Sequence, residues 1–449
     1  MKNQFTLMNE QRFRPFFFTQ FLGAFNDNVF KIALMTLVAF HASTLGLSDE
    51  VGKTLETTLP GLFILPFFLF SATAGQLADK FEKSQIMRFV KLFEIGIMLF
   101  ASVGFFLHSI VMLAAAIFMM GMHSTIFGPV KYSYLPQHLK ESELIGGNGL
   151  VEMGTFVAIL LGEVLGVWLA KQSAHETVIS LSIIGIALLG YWVSRGVPNS
   201  PAASPALKIN WNPITETYRN IQFIWQHQVI WLAIIAISWF WFYGATLLGK
   251  FPSFSREVLY GDESIYILLL SVFSIGIGIG SMMCEKLSKG KVELGLVMFG
   301  GIGLTLFGVD LYFSSSSLHI SLNNKMLIDF MSFISMHYNA QGHIVWTYWR
   351  VLIDIALIGF FGGLYIVPLY ALIQTRSEKS HQSRVIAANN IMNALFMVAS
   401  AAFSIFILHK KLSIPGLFLS TALLNVLVLI YLCVRQPEYY KTFIAWVKR

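Results

Sequence analysis

The sequence predicts an all-α polytopic membrane protein of twelve transmembrane helices in two pseudo-symmetric six-helix halves. Three observations predict it: charge too sparse to coat a soluble globule, apolar runs of bilayer length, and basic residues gathered in every second loop. Of 449 residues, 55% are hydrophobic and 12% charged, and the mean hydropathy is +0.66. A soluble domain carries about 25% charged residues. Residues 53–78, 92–130, 228–249, 264–284, 351–373 and 412–434 are each apolar runs able to cross a hydrocarbon core, which takes about 20 helical residues. They do not alternate in polarity, so they read as helices and not as barrel strands.

Spans are expected at 13–40, 54–78, 84–107, 109–133, 144–170, 177–195, 228–251, 263–284, 291–313, 347–373, 383–409 and 412–434. All but nine of the 31 Lys and Arg fall in the N-terminal arm, the C-terminal tail and the loops near 79–91, 131–140, 195–219, 286–291 and 376–384. The positive-inside rule then places both termini and the central linker in the cytoplasm. The net charge of +7 is therefore a topology signal, and no nucleic-acid partner is expected. Cys284 and Cys433 lie at the inner ends of spans and suggest neither a Cys-rich metal site nor a disulfide; no metal or cofactor is expected. The first span has no small-residue cleavage site before its charged centre and reads as retained.

The expected organisation is a six-helix half at 1–195, a cytoplasmic linker at 196–227, a second six-helix half at 228–435 and a cytoplasmic amphipathic tail at 436–449. The Pro/Ser/Ala-rich start of the linker gives way to WNPITETYRNIQFIWQ, an amphipathic helix lying on the inner face. The halves resemble each other. GQLADKFEKSQIMRF (75–89) matches SMMCEKLSKGKVELG (281–295), and GPVKYSYLPQHLKESELIGGNGLVE (128–152) matches VPLYALIQTRSEKSHQSRVIAANNIMN (367–393). Pro129 then overlies Pro368, and Asn148 overlies Asn389. The second offset exceeds the first by about 33 residues, which places an external insert near 318–345, spaced to lie on the outer leaflet. Two parallel six-helix halves are the major-facilitator arrangement.

FRPFFFTQFLGAFNDNVFK (13–31), the Gly75-x-x-x-Asp79-Lys80 loop, GPVKYSYLP (128–136) and FGGLYIVPLYALIQ (361–374) together resemble the lysophospholipid transporter family of the major facilitator superfamily. The likeness is closest to the facilitator domain that some bacteria fuse to an acyltransferase and an acyl-ACP synthetase, and it runs over nearly the whole chain. The hairpin departs from the usual pattern at Glu82, where a Gly is common. The resemblance implies a flippase in the bacterial inner membrane. It would move lysophospholipids of the ethanolamine or glycerol type toward the cytoplasmic leaflet, by alternating access, for re-acylation by a separate acyltransferase/acyl-ACP synthetase. It also implies that Gly75, Asp79, Lys80 and Lys83 latch the outward-facing state through charge contacts.

Asp27 is the fifteenth residue of a 28-residue span, near the bilayer midplane. A charge there costs roughly 2.5–3.5 kcal/mol on insertion scales. Lys31 stands at i+4, the better order for an Asp–Lys helix pair. Either the two only neutralise each other, or Asn26, Asp27 and Asn28 line a substrate cavity where Asp27 meets a cationic headgroup or coupling cation. Lys131 and Tyr132 close the fourth span; the ammonium suits a phosphodiester or simply snorkels, and Lys250 near the outer end of the seventh span has the same two readings. Glu152 and Glu163 lie three turns apart on one face, with Glu152 the better cavity candidate. Asn389, Asn390 and Asn393 form a polar stripe that either binds substrate or joins helices. Arg350 and Asp354 read as a structural i,i+4 ion pair, and His123 as a packed helix histidine ahead of a proton relay. The 40 Phe suit an acyl chain or bulk lipid equally.

An acyltransferase needs His and Asp separated by four residues, and none of the eleven histidines has Asp at i+5. A phosphate-binding loop is lacking as well: Gly52-Lys53-Thr54 has Leu47 where the leading Gly belongs. Enzyme and primary pump are thereby disfavoured. A drug or siderophore exporter and a non-transporting scaffold for lipid enzymes remain as alternatives, and uniport and cation coupling through Asp27 are both compatible with the sequence.

Overall fold

Helix starts follow the capping residues. Ser48, Glu82, Ser109, Asn212, Asp262 and Ser413 each accept a backbone N–H from the first turn that follows them, satisfying donors that a helix otherwise leaves orphaned. The computed structural model describes residues 4–40, 42–316, 318, 327–335 and 346–448. Its helices are α1 (Arg14–Phe40), α2 (Asp49–Lys80), α3 (Lys83–Phe106), α4 (Ile110–His138), α5 (Glu141–Ala170), α6 (His175–Ser194), α7 (Pro213–Gln226) and α8 (Gln228–Leu248). They continue with α9 (Phe251–Ser253), α10 (Glu263–Ser288), α11 (Leu294–Ser316), α12 (Phe330–Ser335), α13 (Trp346–Arg376), α14 (Gln382–His409), α15 (Ile414–Arg435) and α16 (Glu438–Val447).

Among the described residues twelve helices are long and apolar enough to cross a membrane, with α8 through Val258 forming one 31-residue span. The twelve expected spans are all present, and several run longer than their apolar stretches. α2 begins at Asp49 and not 54, and α4 continues through Pro129 and Pro136 to His138, because polar residues at the membrane surface extend a helix that hydropathy alone truncates. The amphipathic helix expected in the linker is α7, and the tail forms α16. Most of the insert expected near 318–345 lies outside the described residues. Within it, Ile328 pairs with the backbone of Tyr260 and Asp262, and Phe330–Ser335 is helical.

The chain forms two compact units. One comprises Met1–Gly147, Val157–Trp231 and Ile373–Ala394; the other comprises Asn148–Phe156, Leu232–Leu372 and Leu395–Arg449. In the first unit, Phe30, Leu34 and Leu37 of α1 are buried with Met98 and Phe105 of α3, Ile117 and Met120 of α4, and Ile179 and Ile183 of α6.

In the second unit α10 and α13 cross without intervening side chains. A Cβ on Gly276 would lie 2.2 Å from the Ala356 carbonyl oxygen, and one on Gly280 only 1.9 Å from that of Phe360. Reciprocally, Gly359 and Gly363 face Phe273 and Ser281, so two small-x-x-x-small motifs interlock. The C-terminal α16 packs in the same unit: Tyr439 is buried, and the Trp446 indole donates to the Leu287 carbonyl at 3.1 Å. Gly280→Leu is expected to lower stability by about 1–3 kcal/mol or more through overpacking, seen as a lower unfolding temperature in detergent. An unchanged temperature would show that this crossing is not close-packed.

Candidate functional site

The first unit carries a cluster of charge inside its membrane-spanning helices. From α1 come Asn26, Asp27 and Lys31, from α3 Lys91 and Glu94, from α4 His123 and Ser124, and from α5 Glu163. Glu94 is fully buried and is the hub. Its Oε1 accepts from the Asn26 amide at 2.7 Å, while Oε2 binds the Lys91 ammonium and lies 3.1 Å from His123 Nε2. Lys91 reaches this point because Gly190 of α6 leaves room: a Cβ there would stand 2.6 Å from Nζ.

Asp27 follows Asn26 on α1. Its Oδ2 accepts from the Ser124 hydroxyl at 3.1 Å, and its Oδ1 is buried without a hydrogen-bond partner. The Asn26 Oδ1 and the Glu163 Oε2 are likewise unpartnered. Lys31 turns its ammonium over the Phe63 ring, 5.1 Å from the centroid, a cation–π contact. Asn28 bonds back to the Ala24 carbonyl at 2.7 Å. The apolar setting therefore splits the triplet: Asn26 is committed to Glu94, Asn28 to its own helix, and Asp27 keeps an open oxygen.

Two residues depart from what the sequence predicts. The basic loop at 79–91 takes in Lys91, yet this side chain is 1% exposed inside α3. Arg350 was paired with Asp354 one turn on, but its guanidinium is bound by Asp310 of α11, with Nε 2.8 Å from Oδ2. Asp354 accepts the Ser314 hydroxyl at 2.7 Å. Helical spacing names a neighbour on the same helix, whereas the helix packed alongside offered a better-placed carboxylate. His123 is buried as a packed residue, in contact with Glu94.

The remaining candidates divide between the units. In the first, the Lys131 ammonium stands 5.0 Å from the centre of the Tyr132 ring, and the Tyr132 carbonyl accepts from Gln374 at 3.0 Å. Asn389 is buried with both amide atoms unpartnered. Asn390 lies over Gly128, its Nδ2 2.5 Å from where a Cβ would be, and Asn393 is buried on the same helix. In the second unit Glu152 is buried, and Lys250 is half-buried at the start of α9.

Where α2 ends, it meets the start of α14. A Cβ on Gly75 would come within 2.7 Å of the Ala387 Cβ, so only glycine allows this approach. Asp79 is completely buried there; Oδ1 accepts from the Ser383 N–H at 3.1 Å and Oδ2 from Arg384 Nε at 3.0 Å. Of the expected latch, Gly75 and Asp79 are in contact with α14. Lys80 instead lies 5.9 Å from the Phe81 ring centre, and the buried Lys83 ammonium has no hydrogen-bond partner. Ser383 and Arg384, which complete the contact, were not singled out from sequence; their only signal was the basic loop at 376–384.

The linker binds the same hairpin. Gln76 exchanges two hydrogen bonds with the Asn210 backbone, at 3.0 and 2.7 Å, and the Asp79 carbonyl accepts from the Ser204 N–H at 2.8 Å. Glu82, the departure from the usual Gly, accepts from the N–H groups of Ser200, Ser84 and Gln85 at 2.6, 2.9 and 2.9 Å. Burial pushes the Glu82 carboxyl up, but these donors outweigh it and hold the group below its usual range.

Two outcomes follow from this geometry. Glu94→Leu leaves Lys91 buried and unpaired, which costs about 3–5 kcal/mol, whereas Lys91→Met/Glu94→Leu removes both charges and recovers most of the loss. Comparing the unfolding temperatures of the two variants checks this, and equal losses would refute it. Glu82→Ala frees the linker: hydrogen bonds to a charged group are worth about 1.5–3 kcal/mol each, so limited proteolysis within 196–212 should speed up at least about tenfold. An unaltered cleavage rate would mean that Glu82 does not hold the linker.

A family model of the Major Facilitator Superfamily matches residues 16–344. Relatives include the lysophospholipid transporter LplT of Enterobacter sp. (strain 638), 27% identical over 368 residues, or 80% of this chain and 79% of that protein. The transporter of the same name from Klebsiella pneumoniae (strain 342) is 26% identical over 367 residues, with the same coverage. Among solved structures, the proton:xylose symporter XylE bound to 6-bromo-6-deoxy-D-glucose has a TM-score of 0.66 at 12% identity, over 93% of this chain and 94% of that one. The human organic anion transporter MFSD10 has a TM-score of 0.67 at 12% identity, over 93% and 99%. Those two likenesses speak to the fold alone. With twelve spanning helices in place and the family model covering most of the sequence, the chain belongs to the Major Facilitator Superfamily and is a multi-pass membrane transporter.

Proposed function

We propose that the chain carries lysophospholipids across the bacterial inner membrane toward the cytoplasmic leaflet, by alternating access. The observation that carries this reading is the likeness to lysophospholipid transporters along four-fifths of the sequence. The site chemistry supports it, because a lysophospholipid headgroup of the ethanolamine type needs a carboxylate for its ammonium and a cation for its phosphodiester. Asp27, with one buried oxygen unpartnered, is the proposed partner for the ammonium. Lys131, beside Tyr132, is the proposed partner for the phosphodiester. Asn26, Lys31 and Tyr132 are proposed as substrate residues beside them, and Asn389, Asn390 and Asn393 offer amides to the glycerol hydroxyl. Glu152 and Lys250 are proposed as further substrate residues on their sequence positions alone.

Re-acylation by a separate acyltransferase would consume the product and draw lipid inward, with both termini and the linker on the cytoplasmic side. Gly75, Asp79, Lys80 and Lys83 are proposed to form the latch. The Asp79–Arg384 and Asp79–Ser383 contacts support this role for Asp79, and the close approach to α14 supports it for Gly75.

Uptake of lysophosphatidylethanolamine into spheroplasts lacking their own carrier tests the reading, with the parent and Asp27→Asn compared at equal expression. Removing the one charge that meets the ammonium should lower uptake at least about tenfold, the worth of a charge-assisted hydrogen bond. A folded parent that moves no lysophospholipid would overturn the lipid assignment and favour export of another amphiphile. Equal uptake by both proteins would keep the cargo and remove Asp27 from its site.

A further inference from the structure

Helix α7 exposes a stripe of large apolar side chains: Ile214, Tyr218 and Trp225 are 82%, 66% and 64% exposed, and Trp211 just before the helix is 70% exposed. These positions share one helical face. The side chains it turns inward are Glu216 and Asn220, each only 6% exposed, together with the fully buried Ile224. The outward face fits the headgroup–acyl boundary of a bilayer, where aromatic residues concentrate.

Glu216, Arg219 and Asn220 border a half-open cavity of about 250 Å³, below the roughly 300–1,000 Å³ of drug-sized pockets and suited to a headgroup-sized ligand. Lys208, Glu216, Arg219, Asn220, His381 and Arg384 line it. Asn220 is the informative member, since its buried Nδ2 has no hydrogen-bond partner, and an unsatisfied buried donor costs about 1–3 kcal/mol. The His381 ring stacks on Phe223, with centroids 4.9 Å apart, and its Nδ1 lies 2.9 Å from the Ser380 hydroxyl and 3.5 Å from the Glu378 carboxylate. Glu216 opposes an anion, but it is partly matched by Arg219 at 3.9 Å and by the Asn210 amide at 3.4 Å. Asp79 beside Arg384 and Glu378 beside His381 oppose an anion as well, so Lys208, Arg219 and Arg384 match three carboxylates and the directed N–H donors, not a net charge, carry the site.

We propose that this cavity is a binding site for a phosphate group, separate from the substrate residues and independent of what cargo the transporter carries. The phosphate belongs either to an anionic lipid of the adjoining leaflet or to a soluble phosphate ester. Asn220 and His381 donate to it, as do Lys208, Arg219 and Arg384; guanidinium groups match phosphate geometry in particular. Because Arg384 also holds Asp79, an occupied site ties the linker and α14 together beside that contact.

The full-length protein in phosphatidylcholine nanodiscs tests this, with unfolding temperature followed as glycerol 3-phosphate or inorganic phosphate is titrated in, and separately as phosphatidylglycerol replaces part of the lipid. Chloride at matched ionic strength is the control. Lys208→Gln/Arg219→Gln alters only exposed positions, and Asn220→Leu removes the orphaned donor. Stabilisation by soluble phosphate, about tenfold weaker in both variants, identifies a soluble ligand. Stabilisation by phosphatidylglycerol alone, lost in both variants, identifies a lipid. Stabilisation that the variants leave unaltered, or none from either source, overturns the proposal.

Discussion

Hydrocarbon cannot hydrogen-bond, so every polar atom inside a spanning helix must find its partner within the protein. Much of the structure follows from that constraint. Hydroxyls on Ser102, Thr125, Ser133 and Thr246 bond back to the carbonyl one turn earlier on their own helices. Asn425 of α15 accepts from the Trp239 indole and donates to the Gly301 carbonyl and the Thr305 hydroxyl, so one amide joins three helices of the second unit. Lys91 and Glu94 are tolerable in the first unit only because each satisfies the other. Against this background the unmatched atoms stand out, among them Asp27 Oδ1, Asn26 Oδ1 and the whole Asn389 amide.

The hairpin after α2 works under the same constraint at the membrane surface, where it can use the linker. Gly75 admits the backbone of α14, Asp79 caps the contact with two hydrogen bonds, and Gln76 and Glu82 bind linker backbone. Separating α2 from α14 therefore disturbs linker contacts as well, since the Asp79 carbonyl itself holds Ser204. Glu82 explains its own departure from the common hairpin pattern: a glycine could neither cap α3 through a side chain nor bind Ser200.

Much of the fold was readable from local chemistry. Apolar runs marked all twelve spans, because a bilayer imposes length and polarity on each helix separately. The linker helix was readable from its amphipathic period, and Asp27 from the cost of a mid-span acid. Glu94 carried the same signal in the apolar span 83–106 and would be found by the same test. Lys91 was obscured because counting charge by loop does not show that a side chain two turns into a helix can turn inward.

By itself, then, the amino-acid sequence determined which segments are helical, which cross the membrane, and which residues are too polar for their surroundings. These are properties of single helices against a solvent. Only the tertiary structure decided who answers those polar groups: Asp310 for Arg350, Glu94 for Asn26, Arg384 for Asp79. It also decided that α7 turns Glu216 and Asn220 inward beside Ile224. Partners lie on other helices at sequence separations of 40, 68 and 305 residues, and no local periodicity reports which helix will pack alongside.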